Sequence, residues 1–288
     1  IVIPDGVSAI RAFEYKNSDM EEIIIPSSVT IIEEGAFLGC NNLKRVVIPD
    51  SVTEMGKAAF KNCSSLKEVK ISNSLSAIED EAFSFCKDLK EIIIPEEVKE
   101  IGESAFAECS ALKGITIPSS ITRIGKDCFY YCSSLESIMI PDSVTLIEDH
   151  TFEGCTALNN VMLSDTITNI GKRAFAECCN LESIKLPLNL VQLEFQALSG
   201  CSSLKEIAMP ANLQRIGKLA FSGCIALEKV KLSDSLYSID YEAFNGCKSL
   251  RSIVLSKSFI FLDPKAFTGC SLEEIRVDDG NQKYSVDE

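Results

Sequence analysis

Apolar and polar positions along the chain recur with one fixed period. Eleven cysteines, from Cys40 through Cys63, Cys86 and onward to Cys270, stand 23 residues apart. Three residues before each comes an aromatic, Phe37, Phe60, Phe83 and so on to Phe267, with Leu198 as the exception and Phe195 nearby as a candidate replacement. Leu43, Leu66, Leu89 and their equivalents follow each Cys by three, and then Val46, Val69, Ile92 and Ile115 recur, each followed two later by Ile, Leu or Met. Pro or Ser comes next, then a Val-x-x-Ile pair such as Val52 and Met55 or Val98 and Ile101. The unit reads L-x-x-I-x-I-P-x-x-V-x-x-I-G-x-x-A-F-x-x-C-x-x. It covers Ile1 to about Val277 in roughly twelve copies, two of them one residue short, between Ile10 and Met20 and between Cys270 and Leu272. A period of this length is the mark of a repeat architecture.

The pattern inside the unit predicts its elements. In Leu-x-x-Ile-x-Ile the apolar sites alternate with polar ones, the period of a strand with one buried face. Pro after the strand has no N–H for a ladder and ends the pairing. Val-x-x-Ile predicts a second, shorter extended piece on the opposite side. Ala-Phe-x-x-Cys spaces its apolar residues as a single helical or 3₁₀ turn would. A Gly before it, as at Gly56, Gly102, Gly125, Gly171 and Gly217, is expected to permit a tight bend.

One unit buries too few side chains to offset the entropy of ordering its backbone, so neighbouring coils must cover each other's faces. The expected product is an α/β solenoid. It has a parallel sheet on its inner face, short extended segments and single helical or 3₁₀ turns on its outer face, and right-handed crossovers. Residues 1–288 read as one such domain, with 1–26 an incomplete first unit and 273–288 the last strand and the start of a variant unit, where Asp279, Gly280, Asn281 and Tyr284 leave the pattern. Ends without caps expose strand edges. They predict continuation of the chain on at least one side, or end-to-end self-contact at the uncapped repeats.

L-x-x-I-x-I-P with A-F-x-x-C at a 23-residue period resembles the BspA-like class of leucine-rich repeats over nearly the whole chain. The resemblance implies a right-handed leucine-rich repeat superhelix, and a start of the class's G-N-x-x-Y variant at Gly280–Tyr284. It also implies a bacterial or protist protein that is secreted or held at the cell surface. Such a protein would be an adhesion or host-interaction module whose partner is a protein or glycan on host or neighbouring cells.

Composition narrows the function. With 28 Lys plus Arg against 42 Asp plus Glu the net charge is −14, which disfavours nucleic acid and anionic membranes as partners. No apolar run is long enough for a spanning helix. One His and no Trp leave little for His-based chemistry. Thirteen cysteines invite a metal or redox reading, but metal-binding Cys pairs of the C-x-x-C kind are absent. A 23-residue spacing stacks the thiols in parallel, as small buried hydrophobes. Cys128 and Cys179 fall outside the ladder, and Cys179 is the expected exposed thiol. His150 occupies a slot expected to face solvent in neighbouring units, where Ala58, Glu81 and Ser104 stand, and reads as surface decoration. Asn62-Cys63-Ser64 matches a glycosylation acceptor, discounted because Cys63 belongs to the ladder. There is no phosphate-binding loop. The chain is therefore expected to be no enzyme, with no cofactor and no metal.

The candidate binding surface is the exposed face of the inner sheet. Between the paired Ile sites one column reads Ile24, Val47, Lys70, Ile93, Thr116, Met139, Met162, Lys185, Ala208, Lys231, Val254, Arg276. Its middle carries Ile93, Thr116, Met139 and Met162 beside mostly small uncharged neighbours, flanked by Lys70 and Lys185. An exposed apolar strip with a polar rim is the composition of interaction sites, and Met adapts to varied partners. Tyr130 and Tyr131 break the repeat elsewhere. The alternative to recognition is a structural spacer with no ligand of its own.

Overall fold

The computed structural model describes residues 1–281 and 283; Tyr284, part of the expected variant unit, lies outside them. The chain forms two compact units, Ile1–Val144 and Thr145–Glu288. Each is a stack of coils with two parallel ladders per coil.

In the first unit the longer strands are Arg45–Val47, Glu68–Lys70, Glu91–Ile93, Gly114–Thr116 and Ser137–Met139. Their central residue faces the core and the outer two face solvent, as the alternation predicts. Equivalent residues pair one coil apart: Glu91 with Gly114, Ile92 with Ile115, Ile93 with Thr116. The second ladder uses two-residue strands such as Glu54–Met55 and Glu100–Ile101. The second unit repeats the plan with Glu206–Ala208 against Lys229–Lys231 and Arg215–Ile216 against Ser238–Ile239. Its short repeat also keeps register: Ile253 pairs with Ile275, an offset of 22 that absorbs the missing residue.

The expected α/β class and its helical or 3₁₀ turns are corrected by the structure. Among the described residues no helix forms, and the Ala-Phe-x-x-Cys segment is a run of turns. Two residues per coil, four apart, adopt left-handed φ: Ala58 at 53° and Asn62 at 61°, Glu81 at 56° and Phe85 at 60°, Gln196 at 54° and Gly200 at 75°. A right-handed helix cannot pass through such residues. The hydrogen bonds explain the choice. Ala58, Phe60 and Asn62 donate along the stack to Asp80, Ala82 and Ser84 carbonyls at 2.8–2.9 Å. The intervening Lys61 N–H closes a local turn onto the Ala58 carbonyl at 3.1 Å, and Cys63 N–H closes another onto Phe60 at 3.2 Å. Alternate amides thus serve the neighbouring coil and the coil's own turn, so most of this backbone is paired without a helix.

The glycines before this segment have a different role from the expected bend. Gly56 and Gly102 are not left-handed. A Cβ on either would come within 2.5 Å of a backbone nitrogen in the preceding coil, Glu34 and Asp80 respectively. They permit close coil-to-coil approach.

The core of each unit is a set of buried columns, Leu, Val, Ile, Ala, Phe and Cys, each contributed by one position of the repeat. Phe37, Phe60, Phe83, Phe106 and Phe129 are fully buried and stack with centroids 4.9–5.7 Å apart and planes within 12°. Tyr15 extends this file at 5.5 Å from Phe37, across the shortened repeat. In the second unit Phe152 stacks on Phe175, and Phe221 on Phe244. Leu198 itself fills the column between them and is fully buried, whereas Phe195 is half-buried and outside the file.

Candidate functional site

The thiol file runs beside the phenyl file. Cys63, Cys86, Cys109 and Cys132 each donate Sγ–H to the carbonyl of Phe37, Phe60, Phe83 and Phe106 in the coil before, at 3.1–3.3 Å. In the second unit Cys178, Cys201, Cys224 and Cys247 repeat this at 3.2–3.3 Å. Each thiol therefore gives a second hydrogen bond to a carbonyl that already accepts its own coil's Cys N–H. Burial pushes the Cys109 and Cys224 thiols up to about 12, and Cys86, Cys178 and Cys201 well above the usual thiol value. Such thiols are held protonated and are poor nucleophiles. Cys128 is buried in the Ala column, and Cys179 and Cys270 are half-buried.

His150 is not surface decoration. Its Nδ1 lies 2.5 Å from Glu153 Oε2, and the Glu153 side chain is almost wholly buried. Arg173 reaches the same carboxylate through Nε at 2.9 Å and a terminal nitrogen at 2.6 Å. Burial works to raise the Glu153 carboxyl, but hydrogen bonds from Arg173 and His150 outweigh it and hold the group below its usual range. A buried carboxylate paired this way is a structural network. The sequence signal that could have found it is an acid at a position where the equivalent residues of the other coils, among them Lys61, Ala107, Tyr130 and Ser199, include none. Asn62, of the glycosylation motif, is tied into the turn column through its N–H to Ser84. Tyr130 and Tyr131 are both half-buried, their rings tilted at 60° and 4.6 Å apart. Among the described residues no group of three His, Cys, Asp or Glu is placed to hold a metal, and no helix is long and apolar enough to cross a membrane.

The exposed sheet face is different in kind. In the first unit Glu91–Ile93, Gly114–Thr116 and Ser137–Met139 belong to one parallel sheet. Ile93 is 81% exposed and Met139 55% exposed, with Thr116 exposed alongside Ile93 in register. A Cβ on Gly114 would meet nothing within 4 Å, so the surface beside Ile93 is bare backbone. Lys70 stands on a separate sheet, in the strand paired with Arg45–Val47. In the second unit Met162, 51% exposed, ends the strand Asn160–Met162. Lys185, expected on the sheet, lies in residues 181–187 that form no strand, and its Nζ is 3.3 Å from Asp165 Oδ2. Asp165 also accepts the Leu188 N–H at 3.1 Å. The equivalent bond joins Asn73 N–H to Asp50 Oδ1 at 3.0 Å in the first unit, where Glu68–Lys70 is a regular strand, so it belongs to the turn that follows the strand in each coil.

A feature that the column reading passed over lies in the second unit. A groove of about 710 Å³ opens where residues 183–188, 206–211 and the strand Lys229–Lys231 come together. Its signal in the sequence is the pair Leu188 and Ala211, where flanking coils carry Asp165 and Asp234.

The comparisons agree with this geometry. Residues 8–136, 122–235 and 215–286 match the family described as BspA type leucine rich repeat region, in six copies. No curated protein sequence matches the chain. Among solved structures, the leucine-rich repeat protein of T. pallidum is 30% identical, with 55% of this chain and 77% of that chain covered and a TM-score of 0.53. A leucine rich cell surface protein of Faecalibacterium prausnitzii A2-165 is 25% identical over 96% of this chain and 87% of its own, with a TM-score of 0.51. A leucine-rich repeat protein of Bacteroides ovatus is 26% identical over 96% and 83%, with a TM-score of 0.56. With nearly every coil matched and the predicted phenyl and thiol files in place, this chain belongs to the BspA-type leucine-rich repeat family.

Proposed function

We propose that the chain is a non-catalytic recognition and adhesion module of a secreted or cell-surface protein, binding a protein partner through exposed positions of its longer strands. The observation that carries this reading is Ile93. A branched aliphatic side chain 81% exposed on a parallel sheet, beside Gly114, Thr116 and an exposed Met139, is a patch with no role in this unit's core. Lys70 supplies a charged edge. In the second unit Met162 and Lys185 are the corresponding positions. Leucine-rich repeat solenoids typically serve binding rather than catalysis. The cell-surface description of the Faecalibacterium relative supports the location.

The test is a binding panel of purified host surface proteins and glycans, read by surface plasmon resonance with the whole chain. Binding weakened at least tenfold by Ile93→Asp and Met139→Asp, with circular dichroism unchanged, is the expected result. A silent panel would favour a spacer without a ligand. Binding indifferent to both substitutions would remove the strip as the contact.

A further inference from the structure

The groove in the second unit is built by residue choice. Ala208 stands in the exposed column where the coils on either side carry Lys185 and Lys231, so a methyl group lies between two long cationic side chains. In the turn that follows, Leu188 and Ala211 replace the carboxylates of neighbouring coils, and Leu188 is 52% exposed. The groove thus has a small floor, an aliphatic wall and a cationic edge. Its volume, about 710 Å³, lies in the range of ligand-binding clefts.

Its charge opposes that of the chain. The net charge is −14, yet Lys185, Lys229 and Lys231 line the groove against a single carboxylate, Glu206. Lys185 is engaged by Asp165, whereas neither Lys229 nor Lys231 forms an ion pair among the described residues. Glu206–Ala208 pairs with Lys229–Lys231 on one side, and among the described residues no strand pairs with its other edge. The preceding coil runs along that edge, with the Lys205 N–H bonded to the Glu182 carbonyl at 3.1 Å, and the alternation of apolar and charged side chains across the groove suits an extended polypeptide. No aromatic ring lines the groove to support the flat face of a sugar.

We infer that this groove binds an extended acidic segment of a partner protein. A carboxylate lies between the Lys185 and Lys231 ammonium groups, and an adjacent aliphatic side chain rests on Ala208, Ala211 and Leu188. The site goes beyond the recognition strip of the first unit and shares no residue with Ile93, Thr116 or Met139.

The test uses the whole chain and a fluorescein-labelled, C-amidated hexapeptide of alternating leucine and glutamate, with a leucine–lysine hexapeptide and a hexuronate oligomer as comparisons. Anisotropy is expected to show saturable binding of the acidic peptide that weakens with added salt, and none of the basic peptide. Ala208→Leu fills the floor with a side chain of the size carried by Met162 or Val254 in the same column. It and Lys231→Glu are each expected to weaken binding at least tenfold, while Ile93→Asp leaves it unchanged. Lys231→Gln keeps the test valid if Ala208→Leu lowers the melting temperature. Absence of saturable binding, or binding insensitive to Ala208→Leu, Lys231→Glu and Lys231→Gln alike, overturns the proposal. Preferential binding of the uronate also overturns it. Loss on Ile93→Asp alone would move the site to the first-unit strip.

Discussion

Truncation of one ring in the phenyl file tests how the coils are held together. Phe106 is fully buried, with Phe83 and Phe129 each 5.7 Å from its centroid and nearly parallel. Phe106→Ala removes a ring with a neighbour on both faces. Core Phe→Ala changes cost about 3–5 kcal/mol, with the cost set by how far the site collapses. Here collapse is restricted, because both the N–H and the carbonyl of Phe106 are tied to the following coil. Its N–H donates to Cys128 at 3.0 Å and its carbonyl accepts Cys132 Sγ–H at 3.1 Å. The expected loss is therefore in the upper half, about 4 kcal/mol. Leu198 supplies the control. It occupies the same column fully buried, donates to Ala220 at 2.9 Å and accepts Cys224 Sγ–H at 3.2 Å, so the backbone scheme tolerates Leu. Phe106→Leu is expected to cost about 1–1.5 kcal/mol. Guanidinium unfolding followed by circular dichroism measures both, with a constant slope required for a simple comparison since repeat arrays can lose cooperativity. An Ala variant costing under about 1 kcal/mol, or a Leu variant as costly as Ala, would refute the reasoning.

Further expectations follow from the same geometry. Cys86, Cys109, Cys178, Cys201 and Cys224 have raised native pKa values, two of them about 12, while unfolded thiols ionise near 8.5. The native state then holds more protons, so stability falls as pH rises above about 9, by about 1.4 kcal/mol per pH unit for each such thiol; a flat alkaline stability profile would contradict this. Glu153→Gln leaves Arg173 and His150 without their carboxylate and is expected to cost about 2–3 kcal/mol at pH 7, read by denaturant midpoint. In the parent chain the depressed Glu153 carboxyl contributes stability above the unfolded value near 4.3, which is lost as pH falls through its lower native value. Gly246→Ala and Gly102→Ala separate two uses of glycine. The first, at φ 71° with open space, is expected to cost about 1–2 kcal/mol. The second, with a Cβ 2.5 Å from Asp80 N, is expected to lower the melting temperature further; equal effects would refute the close-approach role.

Most of the coil was legible from side-chain spacing, because burial alternates in the longer strands as the Ile-x-Ile pattern does. The phenyl and thiol files were legible for the same reason. The turn segment was not. Ala-Phe-x-x-Cys has helix-like spacing, but its conformation is set by amides that bond to the next coil, and long-range bonds leave little trace in local sequence. The one trace is Gly before Cys, at Gly39, Gly154, Gly200, Gly223, Gly246 and Gly269; other coils place Phe85, Glu108 or Tyr131 at the same left-handed angle and hide it. Ile93 and Met139 stood out in the column reading and are exposed. Lys185 keeps its exposed position between the buried Ile184 and Leu186, but its segment forms no strand and its ammonium group pairs with Asp165, one coil earlier. The His150–Glu153–Arg173 network was hidden because its partners lie three and twenty residues apart, on two different coils.

Site-resolved thiol labelling tests the stacking in register most directly. Native protein is treated with a maleimide under reducing-agent-free, anaerobic conditions, and modified sites are identified over time by mass spectrometry. In-register coils predict early labelling at the half-buried Cys179 and Cys270, with the eleven buried thiols reacting only as the protein unfolds. Early labelling spread through Cys63, Cys86 and Cys109, or Cys201 and Cys224, would contradict it.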